Sequence, residues 1–118
     1  MPRILLVEDD RDVRVIMEHV LIDAGHQVDT AATMVSGKAL LRRGSHDLVL
    51  ADAKLPDGTG MDVCDAAAEV GIKSVIITGY AFTLPAGIAD RYDVLLKPLR
   101  PAELIGAIER ALQSQSAI

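Results

Sequence analysis

Five short runs rich in Val, Ile, Leu and Ala recur along the chain: 4–7 (ILLV), 28–31 (VDTA), 48–51 (LVLA), 74–77 (SVII) and 94–96 (VLL). Runs that are short and continuously apolar, rather than alternating, suit strands buried on both faces, as in a parallel sheet. Such strands need helices on both sides, so this repetition constrains the fold more than any single residue does.

Helical patterns fill the gaps. After Asp10 the apolar residues Val13, Ile16, Met17, Val20, Leu21 and Ala24 fall three and four apart. That spacing predicts one buried helix face, with Gly25 as the stop. Thr33 is expected to cap a second helix through Arg43, ended by Gly44. Thr59 or Gly60 opens a third that ends before Gly71. Pro101 opens the last, with Leu104, Ile108, Ala111 and Leu112 facing inward. Residues 82–91 contain Pro85 and Gly87, so only a short helix is expected there.

Strand and helix thus alternate five times. Alternation implies parallel strands, right-handed crossovers and helices on both faces. The expected fold is α/β, a doubly wound five-stranded (βα)5 sheet, and the pattern alone does not choose the strand order. At 118 residues, without linker, repeat or low-complexity tract, the chain reads as a single domain, 1–118, with a core of about 3–112 and a frayed tail at 113–118.

Composition narrows the function. With 12 basic residues against 17 acidic ones the net charge is −5. That balance disfavours nonspecific binding to nucleic acid or to an anionic membrane surface. Tyr80, Phe82 and Tyr92 are the only aromatics, too few for a base-stacking platform. The single cysteine, Cys64, excludes an internal disulfide and any CxxC motif. No apolar run approaches the roughly 18 residues of a membrane span. Met-Pro-Arg followed by a strand is not a signal peptide, and a cytoplasmic protein is expected.

In open α/β sheets, sites form beyond the carboxyl ends of the strands. The first run ends in Glu8 and Asp9, followed by Asp10. The third ends in Asp52, the fourth in Thr78 and the fifth in Lys97. Each has a structural reading when taken singly: helix caps for Asp9 and Asp10, a turn residue for Asp52, a strand-end cap for Thr78, a solvated lysine for Lys97. Their joint placement points to chemistry. Clustered carboxylates raise one another's pKa and require positive charge nearby. A hard divalent cation and a lysine supply it, and with a hydroxyl and an attacking carboxylate they make a phosphoryl-transfer set. His19, His26 and His46 are dispersed without ligand spacing. Cys64, Met17, Met34 and Met61 read as packing residues, and Arg42 and Arg43 as complements to the carboxyl end of the second helix.

The stretches Ile4-Leu5-Leu6-Val7-Glu8-Asp9-Asp10, Asp47-Leu48-Val49-Leu50-Ala51-Asp52 with Leu55-Pro56-Asp57-Gly58-Thr59-Gly60, Val75-Ile76-Ile77-Thr78-Gly79 and Leu95-Leu96-Lys97-Pro98-Leu99 resemble, in order, the motifs of response-regulator receiver domains. The resemblance covers nearly the whole chain. It implies strand order 2-1-3-4-5 and Asp52 as phosphoacceptor. It implies Mg²⁺ (or Mn²⁺) held by Glu8, Asp9, Asp52 and the backbone carbonyl of Lys54, with Thr78 and Lys97 contacting the phosphoryl group. The donor would be a histidine kinase, a histidine phosphotransfer protein or a small acyl phosphate. Asp10 matches no required position and reads as an acid at a helix start.

The chain departs from the family pattern at several points. Many receivers carry an aromatic three residues before the lysine, where this chain has Val94. Tyr92 stands two residues earlier. The segment from Thr78 to Lys97 is short, which suggests a clipped fourth helix. Lys54 and Tyr80 occupy the two positions expected to set the lifetime of the phosphorylated state. With a short valine at 94, the signal is expected to travel through backbone movement of the segment 79–90, beginning at Gly79.

The expected function is a phosphoacceptor signalling switch that catalyses only its own phosphorylation and dephosphorylation. It would be a stand-alone receiver without an output domain, read by a downstream protein target, with a homodimer left open. Three other readings fare worse. An aspartyl-nucleophile phosphatase needs an aspartate where Glu8 stands, and a cap domain. A nucleotide or flavin binder needs a glycine-rich or positive loop where this chain is acidic. A receiver-like adaptor that is never phosphorylated would not need the full set of Asp52, Thr78 and Lys97.

Overall fold

The computed structural model describes residues 1–79, 87 and 91–116. The short helix expected within 82–91, and Tyr80, lie outside them apart from Gly87 and Arg91. In chain order the elements are β1 (Arg3–Val7), α1 (Arg11–Asp23), β2 (Gln27–Ala31), α2 (Met34–Arg43), β3 (Leu48–Asp52), β4 (Lys54–Leu55), β5 (Gly58–Thr59), α3 (Gly60–Glu69), β6 (Lys73–Thr78), β7 (Asp93–Leu96) and α4 (Pro101–Ser116). Five strands form one parallel sheet in the order β2-β1-β3-β6-β7. Counting only these sheet strands, the order is the expected 2-1-3-4-5. β4 and β5 form a two-residue antiparallel hairpin that the apolar pattern did not announce.

Successive residues of a strand face opposite sides, and both sides of this sheet are covered. Leu5, Val7, Val49, Ala51 and Ile76 pack with Leu41 of α2 and Val63, Cys64 and Ala67 of α3. Ile4, Leu6, Leu48, Leu50, Val75 and Ile77 pack with Met17 and Leu21 of α1 and Leu104, Ile108 and Ala111 of α4. Double coverage is why these strands read as continuous apolar runs. The two faces differ in size rather than polarity. The α2/α3 face takes smaller side chains, and α2 comes close enough that a Cβ on Gly37 would meet Val7 Cγ2 at 2.9 Å. A one-residue slip of β1 or β3 would drive Leu and Ile into that tight layer, so volume specifies the register.

The two edge strands are less buried than the runs suggested. β2 (QVDTA) is fully buried only at Ala31, and β7 (DVLL) at no position. Asp29 of β2 instead accepts hydrogen bonds at one oxygen from Arg3 Nε (3.1 Å) and the buried His46 Nε2 (2.8 Å).

Helix starts follow their capping residues. Asp10 accepts from Val13 N at 3.1 Å and Thr33 from Ser36 N at 3.1 Å, while Thr59 and Asp62 form a reciprocal capping box. Gly25 ends α1 at φ +95°, the left-handed region that favours glycine. Two expectations need correction. Ile16, assigned by spacing to the buried face of α1, is 64% exposed, because the helix presents Met17 and Leu21 to the sheet and turns Ile16 to its rim. The segment after Leu112, read as a frayed tail, continues α4 to Ser116. Among the described residues, no helix is long and apolar enough to cross a membrane.

Candidate functional site

The sheet order brings the carboxyl ends of β1, β3, β6 and β7 side by side. Val7 pairs with Ala51, so Glu8 and Asp52 leave adjacent strands at the same level. Asp52 is opposite Ile77 on β6, and Thr78 is opposite Leu96 on β7, one residue before Lys97. Backbone ties extend the sheet past its last pairs: Lys97 N donates to Thr78 O at 2.8 Å, and Ala53 N to Ile77 O at 2.8 Å. The Lys97–Pro98 bond is cis.

At the centre, Lys97 Nζ lies 2.7 Å from Glu8 Oε1 and 2.8 Å from Asp52 Oδ2. Glu8 has no exposed surface, Asp52 and Thr78 are buried, and Asp9 is exposed at the mouth. The second oxygens of both buried acids are held by main chain: Asp10 N donates to Glu8 Oε2 at 3.1 Å, and Lys54 N to Asp52 Oδ1 at 3.2 Å. One ammonium between two buried carboxylates leaves an excess of negative charge. Burial pushes the Glu8 carboxyl up to about 7, although the hydrogen bond from Lys97 opposes the rise. Burial would lower the Lys97 ammonium, but its hydrogen bonds to Asp52 and Glu8 prevail and hold it above its ordinary value.

Glu8, Asp9 and Asp52 can each offer a carboxylate oxygen such that all three lie within 4.8 Å of one another. Three hard oxygen donors, open to solvent on the Asp9 side, fit a small divalent cation that keeps several waters. The acids named from the sequence are therefore gathered in one place, with Lys97 among them and Thr78 on the neighbouring strand end. The Lys54 side chain and Gly79 are exposed beside the site, whereas Tyr80 lies outside the described residues. Val94 is further off, packed with Tyr92 against the α2/α3 cluster. Tyr92 is tied to α3 through hydrogen bonding of its hydroxyl to Asp65.

Three contacts that shape the site escaped the sequence reading, although Asp57 and Gly60 stand within its motifs. Arg14 of α1 donates to the carbonyls of Glu8 (2.8 Å) and Asp9 (3.4 Å), holding the acidic turn from below. Asp57 reaches from the β4–β5 hairpin to the start of α2. Gly60 lies so close to β3 that a Cβ there would sit 2.1 Å from the Asp52 carbonyl oxygen. No spacing rule signals contacts of this kind, since each partner is backbone reached across space.

Comparison with known proteins gives the same picture. The family described as the response regulator receiver domain matches residues 4–109. The receiver protein CpdR of Brucella abortus is 33% identical over 117 residues, covering 95% of this chain and 98% of that protein. The transcriptional regulatory protein AfsQ1 of Streptomyces coelicolor is 44% identical over 64 residues, which are 54% of this chain and only 28% of that regulator. A CheY-like receiver domain structure from Methanospirillum hungatei superimposes with a TM-score of 0.87 at 30% identity, covering 98% of this chain and 97% of the other. With the match running from Ile4 in β1 to Glu109 in α4, the chain belongs to the response regulator receiver domains of two-component signalling.

Proposed function

We propose that Asp52 accepts a phosphoryl group and that the resulting aspartyl phosphate is the signal. The observation that carries this reading is the buried Asp52 carboxylate held 2.8 Å from the Lys97 ammonium. An Asp52 oxygen attacks phosphorus in a phosphohistidine. The P–O bond forms as the P–N bond breaks, and the imidazole leaves with the electron pair and takes up a proton. Lys97 transfers its hydrogen bond from the carboxylates to a phosphoryl oxygen, and the Thr78 hydroxyl donates to another. Glu8, Asp9, Asp52 and the Lys54 carbonyl would hold Mg²⁺ or Mn²⁺. When bound, the ion supplies positive charge against the phosphoryl oxygens.

The exposed Lys54 side chain, with Tyr80, flanks the approach of hydrolytic water and sets how long the phosphoryl group lasts. Gly79 and Val94 modulate the response. The upstream partner is a histidine kinase or histidine phosphotransfer protein, and the downstream partner a protein target. An open depression of about 540 Å³ beside Lys97, lined by Val13, Ile16, Met17, Gly79, Pro98 and Leu99, gives a histidine-bearing partner apolar surface to grip next to Asp52.

Phosphoramidate, a small P–N donor, tests the chemistry without a partner. Labelled phosphoryl transfer is expected with Mg²⁺ present, and is expected to disappear with a chelator and in Asp52→Asn. Transfer that persists in either case contradicts the reading.

A further inference from the structure

We propose that Asp57 is a positioning residue: its carboxylate ties the tip of the β4–β5 hairpin to the amino end of α2 and thereby fixes the Lys54 carbonyl, which would be a ligand of the cation. The inference rests on the metal-site reading above.

The first amides of a helix have no partner within the helix. In α2, Ser36 N donates to the Thr33 Oγ1 at 3.1 Å, and the helical ladder begins with Gly37 N donating to the Thr33 carbonyl at 3.0 Å. Asp57 takes the two amides between, accepting from Met34 N at 2.8 Å and from Val35 N at 3.0 Å, one on each oxygen. A carboxylate gripping two amides at the positive end of a helix is a strong, directional tie. The Met34 amide, then the Val35 amide, hold the Asp57 carboxyl below its ordinary range.

The tie matters because of what it spans. The base of the hairpin is fixed: Ala53 N bonds to β6, Gly60 N donates to Ala53 O at 3.0 Å, and Leu55 is buried. Its ladder has only two paired positions, Lys54 with Thr59 and Leu55 with Gly58. A ladder that short holds little orientation by itself. Pro56 and Asp57 at the tip are exposed, and the hairpin lies against α2 so closely that a Cβ on Gly58 would meet Met34 Sδ at 2.4 Å. Releasing the tip leaves this two-position ladder as the main hold on the hairpin strands, and the Lys54 carbonyl lies within that ladder. Residues that orient a ligand without touching the ion act in this way.

The test is Mg²⁺ affinity by calorimetry on the whole chain, with amide hydrogen exchange at 53–60 and at Met34 and Val35. Asp57→Ala is expected to stay folded, exchange faster at those amides and bind Mg²⁺ about tenfold more weakly, the low end for residues that orient ligands. Asp57→Asn, which keeps one acceptor oxygen, should fall between it and wild type. Thr33→Ala damages the α2 cap without freeing the hairpin, and should bind like wild type. Affinity in Asp57→Ala within about twofold of wild type, the scatter of ordinary surface substitutions, overturns the inference. So does an equal loss in Thr33→Ala, which would reduce the effect to helix stability. A wild-type chain that binds no Mg²⁺ removes the metal-site reading itself, and the positioning role falls with it; unchanged binding in Asp57→Ala removes the positioning role alone.

Discussion

Glu8 has no exposed surface, yet its carboxylate shares a single ammonium with Asp52. Burial raises it from an ordinary 4.5 to about 7 without a bound cation. The sign follows from linkage: its contribution to stability is full below about pH 4.5 and is lost as pH rises through about 7. As a proposed cation ligand Glu8 would have to be ionised, so a proton on it would compete with the metal. Mg²⁺ affinity measured by calorimetry should therefore be about tenfold weaker at about pH 6 than at about pH 8, with proton release at the lower pH. Equal affinity at both would mean that Glu8 is not a ligand or is already ionised at about pH 6. The residues of this cluster were legible because Glu8, Asp9, Asp52, Thr78 and Lys97 all stand where apolar runs end, and a parallel sheet sends those ends to one edge. Arg14 and Asp57 were not legible, because their partners are carbonyls and amides with no sequence signature.

Among the elements, two glycine-to-alanine substitutions separate packing from propensity. Gly60 begins α3 under the Asp52 carbonyl, where a Cβ would be 2.1 Å from backbone oxygen that cannot yield cheaply. Gly60→Ala should cost about 2–3 kcal/mol, the upper range of overpacking, and displace Asp52. Gly106 lies within α4, where a Cβ meets only the flexible end of Arg110 at 3.2 Å. Gly106→Ala should stabilise by about 0.5–1 kcal/mol through helix propensity. Urea denaturation of the pair checks both signs, and a neutral Gly60→Ala would contradict the close approach. Element starts were readable from Asp10, Thr33, Thr59 and Pro101, since capping is local chemistry. The β4–β5 hairpin was not, because two-residue strands have no period to detect. Ile16 misled because spacing gives a helix face, while the sheet decides how far round that face is covered.

For the whole molecule, the order β2-β1-β3-β6-β7 puts α1 and α4 on one face and α2 and α3 on the other. The winding reverses between β1 and β3, and the crevice at that reversal is where ligands of such sheets bind. Glu8 and Asp52 flank it. Apolar patterning could not supply this order, since it marks where strands run without saying which neighbour each strand pairs with. It came from motif resemblance, and the sheet pairing bears it out. The outcome is a fold in which the acids, the lysine and the threonine meet only when four strands, β1, β3, β6 and β7, are in register. The central claim is that this meeting makes Asp52 a phosphoacceptor. Intact mass after incubation with acetyl phosphate and Mg²⁺ tests it most directly. The account predicts a gain of one phosphoryl group in wild type and none in Asp52→Asn; no gain in wild type, or an equal gain in Asp52→Asn, would contradict it.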